Sequence, residues 1–114
     1  MGPKRDWSSI QTEADTPCRV CGHSGQTERA HVSGRRFDKP RPGKRTLWVN
    51  PDDIVPLCGP ATDSASCHFR FVAGVLDLLG HLTAAEQVKC VENFGSIEQA
   101  RIRLAPTAYR VDRR

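Results

Sequence analysis

Cys18-Arg19-Val20-Cys21 and, further along, Leu57-Cys58-Gly59-Pro60-Ala61-Thr62-Asp63-Ser64-Ala65-Ser66-Cys67-His68 are the stretches whose reading decides the fold. A Cys-x-x-Cys pair and a distant second pair, Cys58 and Cys67, can close one tetrahedral zinc site. Gly22, just after the first pair, permits the tight turn that two ligands on one loop require. His68 follows the last of these cysteines directly. Adjacent residues at a helix start point about 100° apart. Cys67 can therefore face a structural zinc while His68 faces a second, open site.

Working outward, the chain has 114 residues, enough for one small domain in which a metal crosslink contributes much of the stability. Seventeen Lys and Arg oppose 13 Asp and Glu, a net charge of +4, which favours a polyanionic partner. No apolar run opens the chain, so a signal peptide is not expected. The longest apolar stretch, Phe69 to Leu79, is broken by Gly74 and Asp77 and is too short for a bilayer, so no membrane role is expected. The compartment expected is the cytoplasm. There, an odd count of five cysteines in this spacing favours metal over disulfides.

Residues 1–16 read as a flexible polar N-terminal tail, 17–80 as the zinc-stapled core and 81–114 as a C-terminal helical extension. Thr27 to Val32 and Ile54 to Leu57 read as short strands, and Gly34 to Arg45 as loop. Ser66 is a good N-cap for a helix running through Leu79, with Val72, Val75, Leu76 and Leu79 on one face. Thr83-Ala-Ala-Glu86 is a capping box that opens a second helix closed by Gly95. Ser96-Ile-Glu-Gln99 repeats the signature for a third helix.

Arg-Ala-His31-Val at a strand end, a turn with Asn50 and Asp53, then Leu-Cys58 and Cys67-His68 form a series that resembles the HNH endonucleases, particularly the small zinc-stapled versions of bacteriophages. The resemblance covers about residues 16–80. It implies an α+β fold: a small ββα-metal core of the His-Me finger, treble-clef-like kind, with a structural zinc on Cys18, Cys21, Cys58 and Cys67 and C-terminal helices. It further implies that His31 is the general base and that His68 binds a catalytic divalent ion, Mg²⁺ or Mn²⁺. Asp53 stands where the family commonly has asparagine, and Ala30 where many relatives have a metal ligand. Asp53 is thus the expected second ligand, with Asn50 its rival. The implied partners are DNA and, as for phage relatives, the genome-packaging terminase; the place of action would be the host cytoplasm.

The residues support that chemistry independently. Phosphodiester hydrolysis needs an oriented water, a base and positive charge at the phosphate. Histidine suits the base because its pKa, ordinarily ~6.5, lies near cellular pH. One imidazole and one carboxylate leave a divalent ion open positions, whereas four thiolates leave none. Arg35, Arg36, Lys39, Arg41, Lys44 and Arg45 crowd the loop between the two strands against a single Asp38, and with Arg70 they are candidate phosphate contacts. Arg110, Arg113 and Arg114 would add weak attraction. Trp48 either stacks or packs; His23 and His81 read as peripheral, and Cys90 as a packed or idle thiol. Two other functions fit the same residues: a non-catalytic zinc module that binds nucleic acid, or a domain whose region 84–104 docks a protein partner.

Overall fold

Thr27-Glu-Arg-Ala-His31 and Ile54-Val-Pro-Leu-Cys58 are short runs with β-branched and apolar residues, and they pair as an antiparallel two-stranded sheet. The computed structural model describes residues 4–104. Its strands are β1 (Arg5–Asp6), β2 (Thr27–His31), β3 (Lys39–Pro40), β4 (Leu47–Trp48) and β5 (Ile54–Cys58). Its helices are α1 (Cys67–Val72), α2 (Ala84–Phe94) and α3 (Ile97–Leu104). The described residues form an α+β fold, with three α-helices and two small sheets. In the β2–β5 pair, Thr27 lies opposite Cys58 and His31 opposite Ile54. That register puts the cysteine end of β5 beside the start of β2, and the histidine end of β2 beside the turn at Pro51–Asp53.

Strand alternation then sorts the β2 side chains. Glu28 and Ala30 face one way: Glu28 reaches α1, and Ala30 joins the core with Val55 and Leu57. Thr27, Arg29 and His31 face the other way, toward the N-terminal segment. The Thr27 hydroxyl donates to the Thr16 carbonyl, while Arg29 and His31 both contact Trp7.

That N-terminal segment carries a short strand and side-chain anchors from residue 5 onward. β1 pairs in parallel with β4, which pairs antiparallel with β3. The Trp48 indole N–H donates to the Ser9 hydroxyl at 3.0 Å, so Trp48 serves as packing for this segment. Arg5 and the two Trp side chains supply the anchors; a reading by polar composition undervalues them.

The first helix is also shorter than its apolar spacing predicts. Ser66 caps it as expected, its hydroxyl accepting the Phe69 N–H at 3.1 Å. It ends at Val72, because Gly74 takes φ +76°. The Val75 N–H returns to the Arg70 carbonyl and the Gly74 N–H to that of Phe71, the paired bonds of a Schellman stop. Val72 and Val75 are consequently 71% and 54% exposed, while Leu76 and Leu78 turn inward.

α2 opens on the capping box of Thr83 and Glu86 and closes on Gly95 at φ +98°. Its Glu86, buried, also receives the Arg19 guanidinium at 2.5 and 3.0 Å. Arg19 belongs to the Cys18–Cys21 loop, so this pair ties the helical cover to the cysteine cluster. Among the described residues no helix is long and apolar enough to cross a membrane.

Candidate metal centre and adjoining site

Two backbone turns bring the cysteines together. The Cys18 N–H donates to the His23 carbonyl at 2.8 Å and the Gly22 N–H to the Cys18 carbonyl at 2.9 Å, with Gly22 at φ +77°. Across the second turn the Cys67 N–H points at the Cys58 sulfur, 3.2 Å away. The ligand atoms of Cys18, Cys21, Cys58 and Cys67 all lie within 4.8 Å of one another. Burial opposes the Cys18 thiolate, yet backbone N–H groups of Cys21, Cys58 and Val20 bring that thiol down to about 7. Burial and the surrounding sulfurs push Cys67 up. Four sulfurs this close, three of them buried, carry mutually repelling thiolates only if a cation sits among them. The cluster can hold a metal ion such as zinc. Among the described residues it is the one group of three or more metal-ligating side chains that converges so.

His31, at the end of β2, is fixed through its imidazole. Its Nε2 lies 2.9 Å from Asp38 Oδ2, and the same oxygen accepts the Arg5 Nε–H at 2.9 Å. The Trp7 ring packs against the imidazole edge-on, with centroids 5.4 Å apart. The His31 side chain is 9% exposed and that of Asp38 2%. His31 borders a cavity of about 360 Å³ with Ser33, Gly34, Arg36, Phe71 and Val72.

His68 sits in the first turn of α1, and its Nδ1 lies 2.7 Å from Glu28 Oε1. That oxygen also accepts the Ala61 N–H at 3.1 Å. Glu28 reaches this position across Gly59, where any Cβ would overlap its carboxyl. Glu28 and His68 line a second cavity of about 510 Å³ with Trp7, Thr12 and Arg29. His31 and His68 thus border different cavities and, among the described residues, share no hydrogen bond.

Asp53 lies with His31 rather than His68. Its Oδ1 accepts the Ser33 N–H at 3.0 Å and its carbonyl the Val32 N–H at 2.8 Å, clipping the chain leaving β2 to the turn entering β5. Its other carboxylate oxygen is buried without a partner among the described residues. Burial raises its pKa, opposed by Ser33 and the His31 charge. Asn50, its rival, caps the Pro51–Asp53 turn by accepting the Asp52 N–H at 2.9 Å. Burial and the nearby Asp53 carboxylate push the Cys90 thiol up to about 11, consistent with a packed, unreactive cysteine.

Arg35, Arg36, Lys39, Arg41, Lys44, Arg45 and Arg70 are all exposed. Arg41 pairs with Asp6 and lies over the Trp48 ring; none of the other six takes part in an ion pair among the described residues. His23 and His81 are exposed, away from both cavities. Arg110, Arg113 and Arg114 lie outside the described residues.

Sequence reasoning missed two groups. Asp38 looked like the lone acid of a basic loop, and only its isolation there marked it. Glu28 carried no local signal, because its place beside His68 depends on the β2–β5 register. Comparison with protein families, with characterised proteins and with solved structures gives no match to this chain.

Proposed function

We propose that the protein is a zinc-stapled, metal-dependent DNA endonuclease of the HNH type, with a ββα-metal core formed by β2, β5 and α1. The observation that carries the reading is His31: its imidazole is held at one nitrogen, and the residue borders a cavity together with an exposed arginine, Arg36. Such a group takes the proton of an attacking water. The water oxygen then bonds to phosphorus, the P–O bond to the leaving sugar oxygen breaks, and that oxygen gains a proton from solvent. Arg35, Arg36, Lys39, Arg41, Lys44 and Arg45 hold the duplex by its phosphates, in a manner indifferent to base sequence.

His68 and Glu28 are the pair suited to a divalent ion, a nitrogen and a carboxylate brought together over Gly59. When bound there, Mg²⁺ or Mn²⁺ supplies positive charge for the phosphate. Asp53, tied to Ser33, instead fixes the strand end that carries His31. Zinc on the four cysteines is structural, since a closed thiolate site has no vacant position. Packaging of a phage genome beside terminase is the wider setting that the resemblance favours.

A second reading, a DNA-binding zinc module without catalysis, draws on one observation: His31 and His68 border separate cavities. Supercoiled plasmid incubated with the zinc-loaded protein and Mg²⁺ or Mn²⁺ separates the two. The endonuclease reading expects nicked or linear product that disappears without the added ion. DNA binding with no cutting under any divalent ion would leave the binding module.

A further inference from the structure

We propose that Asp38 is a positioning residue that locks His31 in its Nε2–H tautomer and so presents Nδ1 as the lone pair that takes the proton. The inference rests on the endonuclease reading for its consequence, but its physical content stands on geometry alone.

Two donors converge on one oxygen. Asp38 Oδ2 lies 2.9 Å from both Arg5 Nε and His31 Nε2. The Arg5 Nε can only donate, so this oxygen is already an acceptor, and an ionised carboxylate has no proton to offer the ring. His31 Nε2 must therefore carry the hydrogen. In a neutral imidazole the other nitrogen is then the acceptor. Nδ1 has no hydrogen-bond partner among the described residues. It is therefore the ring nitrogen left to accept a proton.

The surroundings favour the same tautomer. Asp38 is 2% exposed, which shields its bond to His31 from competing water. Trp7 stands edge-on against the imidazole and limits rotation of the ring. Arg36 borders the same cavity as His31. Arg5 comes from β1 and Asp38 from the residue before β3, so pairing of both strands with β4 delivers the two to one place.

The test is the nitrogen NMR spectrum of the zinc-loaded protein labelled at histidine, with His31 assigned through His31→Gln. The wild type is expected to show His31 protonated at Nε2 alone when neutral. Asp38→Asn should give a mixture of tautomers, and in plasmid cleavage a turnover number about 10- to 100-fold lower at unchanged KM. A wild-type His31 protonated at Nδ1 overturns the proposal without any variant, as does an Asp38→Asn protein with unaltered tautomer and turnover. The NMR readout needs no cleavage, so failure of the endonuclease reading would show as an inactive wild type whose tautomer still depends on Asp38.

Discussion

Asp53 shows how one side chain can be structurally required and yet uncomfortable. Its Oδ1 secures the Ser33 N–H, while its second oxygen is buried with no partner among the described residues, a circumstance that costs on the order of 1–3 kcal/mol. Burial raises its folded-state pKa above the unfolded value, so folding favours the protonated form. The linked stability is present in full below the unfolded carboxyl pKa and is lost as pH rises through the folded one. Asp53→Asn keeps the acceptor for Ser33 and removes the charge. Thermal unfolding should show the variant more stable than wild type at pH 7, by about 1 kcal/mol or roughly 4–8 °C, with the advantage shrinking toward pH 4. A variant less stable than wild type at pH 7 would mean that the buried Asp53 charge is compensated, as that of a metal ligand would be.

Among elements, the helical cover depends on the cysteine loop through Arg19 and Glu86. Glu86 completes the α2 capping box and accepts both Arg19 contacts. Glu86→Ala removes both and should cost about 2 kcal/mol, measurable by urea unfolding. Gly59→Ala acts between strand and helix: its methyl displaces the Glu28 carboxyl from His68. Binding of Mn²⁺, followed by the loss of its free electron paramagnetic resonance signal, should weaken about tenfold or more. Equal Mn²⁺ affinity would remove Glu28 from the ion site. Much at this scale was legible in the chain. The cysteine spacing, the strand around His31 and the Thr83–Glu86 capping box are short-range signals that the fold retains. The end of α1 was misplaced, because the spacing of Val72, Val75, Leu76 and Leu79 pointed to a helix running through Leu79, whereas Gly74 stops it after Val72. Glu28 beside His68 and Asp38 beside His31 were not legible. Each contact needs a strand register, or the pairing of residues 5–6 with 47–48, which no local pattern specifies.

The whole molecule joins two devices, a cysteine cluster that ties loop, strand and helix together and an exposed cationic surface. A domain of this size has little core to spare. Removing zinc with a strong chelator, or replacing Cys67 by Ser, should therefore abolish cooperative thermal unfolding. The basic loop should govern salt dependence: changing Arg35, Arg36 and Lys39 to Gln should lower the slope of log affinity for duplex DNA against log salt by about 2 to 3. A slope unchanged by those substitutions would assign the loop to solvated surface. The claim on which the account turns is proton removal by His31. Single-turnover cleavage of an end-labelled duplex by the zinc-loaded protein, saturated with Mn²⁺, compares wild type with His31→Ala directly. A loss of about 100-fold or more in rate, with DNA affinity and zinc content retained, is the result predicted. Equal rates and identical products from both proteins would contradict it.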